Sequence, residues 1–285
     1  MTSHSNGDTL TGEFLILPSE LKPEYDQRLV FGFGYLPSTN EYKVVRCSYT
    51  ELNNVWKGHV AVYTLGSQNG WREKEDILYI LYSSGLFVNG VIHWIGKIGE
   101  QVPRIVAFDL ADEKFKCVST LPLDSFTAFD TFRLSLLGGN MCFIHTVWDE
   151  SQDCDEIQDI WALKKRDNNA KIRQPRVTRE YYDHNWSWSK DFHIAFGGPE
   201  MCNYKPFAIT KSNEVLLCQD YRKLCIYDSN TSTLTKLWDG DSNGFFRPSS
   251  NPSHEHTCFF KDLGECSGDN VTSDIESSDS KMSTS

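Results

Sequence analysis

The chain has 285 residues, with 28 Lys plus Arg against 39 Asp plus Glu, a formal charge of -11, and aromatics at 13%. So acidic a surface disfavours nucleic acid or an anionic membrane as partner, and the basic run Lys164–Arg166 is only three residues long. No window reaches membrane-spanning length, and the first residues lack a charged-then-apolar leader pattern. With nine Cys and no CxxC pair, reduced thiols in cytosol or nucleus are expected rather than a disulfide framework.

Residues 1–12 are small and polar and are expected to be loose. Phe14–Leu17 is a short apolar run stopped by Pro18. Next come Leu29–Leu36, a turn at Pro37–Asn40, Tyr42–Tyr49, a polar loop over Thr50–Gly58, then His59–Leu65 and a Gly-rich corner before Trp71. Short β-branched and aromatic runs bounded by Gly, Pro and Asn predict strands, and none is long enough for an amphipathic helix. The stretch Leu86–Leu121 repeats the pattern: Leu86–Val88, Val91–Ile95, Ile105–Leu110 and Phe115–Val118, broken by a polar loop and a tight corner. Leu134–Leu137 and Met141–Val147 form a hairpin about Gly138-Gly139-Asn140. An acidic loop, Asp149–Asp159, leads to Ile160–Leu163, and residues 164–185 are charged and irregular. WSWSKDFHI (186–194) alternates as a half-buried strand does. Pro206–Thr210, Glu214–Cys218, Lys223–Tyr227 and Leu234–Trp238 form the last meander.

The third strands align as VAVYTL, RIVAFDL, QDIWAL and KLCIYDS, with aromatics at Tyr63, Phe108, Trp161 and Tyr227. Units of about 40–50 residues with four strands each are the pattern of propeller blades. The fold class expected is therefore all-β: antiparallel four-stranded meanders arranged as a β-propeller, complete or lacking strands in its opening blade. A β-sandwich built from meanders is the alternative. The body is expected over residues 13–246. Residues 247–285 form a Ser- and acid-rich tail, with six acids against one Lys in Asp262–Ser285, and are expected to be disordered.

The motifs FGFGYLPSTNEYKVVR, VAVYTLGSQNGWRE, FVNGVIHWIG, RIVAFDLADEKFKCVSTLP, LGGNMCFIH, DIWALKK and NEVLLCQDYRKLCIYDSNTSTLTKL occur in this order. Together, over about Glu13 to Trp238, they resemble the F-box-associated interaction domain of plant F-box proteins. The resemblance implies a β-propeller-like receptor that binds a protein substrate of a cullin-RING ubiquitin ligase. In that family an N-terminal F-box docks on the ligase adaptor. The chain opens at GEFLILPSEL, which is similar only to the part of the family's chains beyond the F-box. Adaptor and cullin are therefore expected as partners only through an F-box upstream of Met1. The other readings are a scaffold or decoy that sequesters substrates, and a propeller enzyme or carbohydrate-binding protein.

No catalytic arrangement stands out, and no cofactor or metal is implied. Gly32 and Gly34 read as a strand pair permitting close packing rather than a nucleotide fingerprint. His254, His256 and Cys258 would share a strand face, a weak zinc candidate. His93 and His145 read as core histidines, and the Asp149–Asp159 acids as a solvated loop rather than a cation site. Trp56, Trp148, Trp186 and Trp188 lie in or beside loops and are the candidate partner-binding residues, because aromatics at loop ends anchor partners.

Overall fold

The computed structural model describes residues 5–8, 14–18, 28–53, 55–99, 101–123, 126–127, 130–149, 155–165, 186–197, 202–240 and 258–260. All regular elements among these residues are strands. The N-terminal pair is β1 (Ser5–Asp8) and β2 (Phe14–Ile16). A first sheet comes next, of β3 (Leu29–Leu36), β4 (Glu41–Leu52), β5 (Val55–Thr64) and β6 (Arg72–Glu73). The second holds β7 (Ile80–Val88), β8 (Val91–Lys97), β9 (Arg104–Asp109) and β10 (Lys114–Thr120). The third holds β11 (Thr131–Leu137), β12 (Asn140–Asp149), β13 (Asp155–Lys165) and β14 (Trp186–Phe196). The fourth holds β15 (Tyr204–Ile209), β16 (Glu214–Gln219), β17 (Lys223–Asp228) and β18 (Thr233–Asp239). Each is an antiparallel meander in sequence order, as the repeat predicts.

The turns between first and second strands explain this regularity. Asn40, Asn89, Gly90, Gly138, Gly139 and Asn213 all have positive φ, which suits the right-handed twist of the strands they join. The sheets then stack face to face. Val30, Val45, Cys47 and Val62 of the first pack against Ile92, Trp94, Val106 and Phe108 of the second. The far side of the second, with Ile95 and Ile105, meets Phe143, Leu163 and Trp161 of the third. Ile144, Ile160 and Phe192 on the back of the third meet Val215, Leu217 and Tyr227 of the fourth. First strands touch one another through the stack: β3 on β7, β7 on β11, β11 on β15. This is the radial order of propeller blades.

The four repeat aromatics occupy equivalent places. Tyr63, Phe108, Trp161 and Tyr227 stand on β5, β9, β13 and β17, the third strand of each sheet. Phe108, Trp161 and Tyr227 pack back onto the preceding sheet. Tyr63, with no preceding sheet, packs instead with Leu17, just after β2, and with Trp71, whose indole N–H donates to the Pro18 carbonyl at 2.9 Å.

Three expectations differ. The polar loop Thr50–Gly58 is a hairpin: β4 and β5 pair through Leu52↔Val55, and Asn53, at φ 53°, makes the reversal tight. The acidic loop Asp149–Asp159 is half strand: Asp155–Asp159 begin β13, with Glu156 and Gln158 turned inward. Inverted polarity hid that strand. Lastly, β1 lies in the stretch expected to be loose and pairs with β19 (Cys258–Phe260) in the stretch expected to be a tail, so both ends of the chain share a sheet of order β19-β1-β2. Apart from Cys258, the weak zinc candidate lies outside the described residues.

Candidate functional site

The framework readings of several residues hold. A side chain at Gly32 would run into the Trp94 ring, and one at Gly34 into the Phe87 ring. The glycine pair lets the second sheet's rings sit on the first. His93 is buried, and desolvation holds its pKa down to about 4, so it is a neutral core group. His145 packs beside Phe132 and Phe143, at 5.2 Å and 6.2 Å between ring centroids, and bonds the Asp130 carboxylate at 2.7 Å.

One end of the stack carries every link between second and third strands and every crossing from one sheet to the next. This end is here called the upper rim. Among the described residues eight large apolar side chains are exposed, and five belong to it. Val55 and Trp56 sit at the β4–β5 tip, Leu78 on the crossing between β6 and β7, Val102 in the β8–β9 loop and Tyr221 in the β16–β17 turn. The other three, Leu234, Leu237 and Trp238, lie on β18 at the outer edge of the last sheet. At the opposite rim the described turns are short and rich in Asn, Gly, Ser and Thr, and the connection 166–185 between β13 and β14 lies outside the described residues. Five exposed apolar groups thus share one rim.

Local structure holds these groups out. Asp220 and Tyr221 have φ of 51° and 57°, a left-handed pair that a bulky residue adopts at a cost of about 1 kcal/mol. The turn is braced by the Asp220 carboxylate, which accepts from the Asn203 N–H at 2.9 Å, and Lys205 stands 3.8 Å over the Tyr221 ring. Beneath Trp56, the Thr50 hydroxyl meets His59 Nε2 at 2.9 Å, and His59 Nδ1 meets Asp76 at 3.1 Å. Lys57 bonds Asp76 at 2.8 Å and is the main reason its carboxyl titrates below the usual range. The order hydroxyl, imidazole, carboxylate is that of acyl-transfer sites. Here it lies on an open strand face, where water competes for each bond, and it stiffens the hairpin that carries Trp56.

The four candidate tryptophans are not brought together. Trp56 and the backbone of Trp148 flank the equivalent connection in the first and third sheets. Trp186 and Trp188 pair with Lys165 and Leu163 at the opposite end of β13, and both are half-buried in the interface of the second and third sheets, Trp188 edge-on to Phe143. Sequence reasoning missed Val55, Leu78, Val102 and Tyr221. Only Tyr221, an aromatic within a three-residue break between strands, left a signal.

The sequence matches the family described as "F-box associated beta propeller domain" over residues 7–238. It is 33% identical over 129 residues to the F-box protein At3g07870 of Arabidopsis thaliana, covering 37% of this chain and 31% of that protein. It is 26% identical over 221 residues to the F-box/kelch-repeat protein At3g17530 of the same organism, covering 74% of this chain and 52% of that protein. The chain thus spans about a third to a half of these curated relatives. Strand order, blade stacking and motif order agree with the match, and the chain belongs to the F-box associated beta propeller domain family.

Proposed function

We propose that this chain is the substrate-recognition part of a cullin-RING ubiquitin ligase receptor, working in cytosol or nucleus and holding a target protein against its upper rim. The observation that carries the reading is the concentration of exposed apolar side chains on that rim, in a chain whose family and relatives are F-box proteins. Val55, Trp56, Leu78, Val102 and Tyr221 would supply the anchor contacts. The backbone of Trp148 lies on the same rim, while Trp186 and Trp188 serve mainly packing. Ubiquitin transfer would belong to other subunits, and adaptor docking to an F-box where the full-length gene product carries one.

The test is co-purification of the full-length product, wild type and Trp56→Ala/Tyr221→Ala. The expected result is recovery of adaptor, cullin and a target with wild type, and loss of the target alone with the variant. A target held equally by both proteins, or failure to recover adaptor and cullin, would count against the receptor role.

A further inference from the structure

Away from the exposed anchors, the third sheet carries a buried polar cluster that its own hydrogen bonds leave incomplete. Arg133 on β11, Thr146 on β12, and Glu156 and Gln158 on β13 share the face of Leu137, Ile144 and Ile160, which packs on the fourth sheet. Glu156 is 4% exposed and Gln158 1%. The Gln158 amide donates to Glu156 Oε1 at 2.5 Å and to the Tyr204 carbonyl at 2.7 Å. Both its N–H groups are thereby used. Gln158 Oε1, Glu156 Oε2 and Arg133 Nε are buried and have no hydrogen-bond partner among the described residues. Arg133 and Glu156 feel each other's charge yet stand farther apart than the 4.0 Å of an ion pair.

We propose that this cluster is a binding site for one primary carboxamide. With Glu156 ionised, above about pH 7, its free valences are one N–H donor and two acceptors. A carboxamide offers the complement, one carbonyl for Arg133 Nε–H and two N–H groups for Glu156 Oε2 and Gln158 Oε1. A carboxylate lacks the donors, and an ammonium lacks the acceptor. The groups also come from strands on either side of β12, roughly 10 Å apart across the sheet. A planar three-atom group bridges such a span better than a single water. Thr146 lies between them, and the Phe196 and Tyr204 rings, stacked at 4.0 Å and 7°, form a flat wall on one side. Arg133 is half-buried and is the member that reaches solvent, so the ligand enters past it. The carboxamide would come from the Asn or Gln side chain of a bound partner or from a free small amide.

The test is NMR of the isotope-labelled full chain, tracking the Arg133 Nε–H and Gln158 side-chain signals. Acetamide and the peptide N-acetyl-Gly-Gln-Gly-N-methylamide, whose only primary carboxamide is the Gln side chain, are titrated separately, with acetate as control. A saturable shift is expected with acetamide and not with acetate, at least ten-fold weaker in Gln158→Leu and in Arg133→Lys, which keeps the charge and removes the Nε–H. A stronger response to the peptide assigns the site to a partner's side chain, and a stronger response to acetamide assigns it to a free amide. Shifts that stay linear, the result for a site holding water alone, overturn the proposal. So does an equal response to acetate, or variants that bind as wild type does. Should a variant fail to fold, the acetamide and acetate titrations of wild type decide by themselves.

Discussion

Tyr221 occupies a backbone conformation that favours glycine, at φ 57° in the turn between β16 and β17. The strain is tolerated where an aromatic is presented to solvent, as happens at functional sites. Tyr221→Gly is therefore expected to raise stability by about 1 kcal/mol in urea unfolding while weakening target capture. A loss of stability would mean that the ring packs rather than presents. Glu156 makes the opposite kind of statement. Burial, partly offset by the Gln158 hydrogen bond and the Arg133 charge, pushes its pKa from 4.5 to about 7. The unfolded chain then gives up a proton that the folded chain keeps, so the stabilising effect is whole below pH 4.5 and is lost as pH rises through about 7. Measured against Glu156→Gln, wild type should lose stability steadily between those values. A constant difference across the range would refute the shift.

The β9–β10 corner shows how one element is tied to the next. Glu113, at φ 50° in that turn, accepts from Lys43 of β4 at 2.9 Å, from Arg72 of β6 at 2.6 Å and from Lys74 at 2.5 Å. Burial raises its pKa, and the bonds from Lys74, Lys43 and Arg72 more than reverse this, to about 2. The corner thus staples the first sheet to the second. Glu113→Gln would leave buried Lys43 with only the more distant Glu41 carboxylate, at 3.7 Å, and a loss of about 3 kcal/mol is expected at pH 7. Because the folded pKa is depressed, the contribution is present above 4.5 and lost as pH falls through about 2, so the two proteins should converge in acid. Element by element, the strands with clean alternation or tight Asn and Gly turns were legible in the sequence. The first half of β13 was not, because Asp155–Asp159 reads as solvated until the fourth sheet covers Glu156 and Gln158.

At the scale of the whole molecule the order is one of layers, each sheet's third-strand aromatic resting on the sheet before it. Among the described residues the first and last sheets each have one neighbour of their own kind. Leu17 covers the outer side of the first sheet, while β18 is exposed throughout. The two chain ends are joined in the β1–β19 ladder, with Asp8 opposite Cys258. Partners in an antiparallel ladder are close enough for a disulfide. Asp8→Cys should therefore link to the native Cys258 under mild oxidation, giving a cross-linked peptide by mass spectrometry that Cys258→Ser removes. Absence of that peptide would show that the ends do not meet in solution.

What the sequence determined by itself was local and periodic: strand positions, turn chemistry, the four-fold repeat and the motif order that marks the family. Those properties depend on neighbours along the chain, and period-two alternation and Asn or Gly at left-handed positions report them directly. The tertiary structure decided which exposed side chains share a face. Trp56, Leu78, Val102 and Tyr221 come from separate stretches with nothing in common, and only the stacking of sheets turns their loops to one rim. It also turned Trp186 and Trp188 inward and set Arg133 beside Glu156 and Gln158, because burial is a property of what lies across the interface, not of what lies next in the chain.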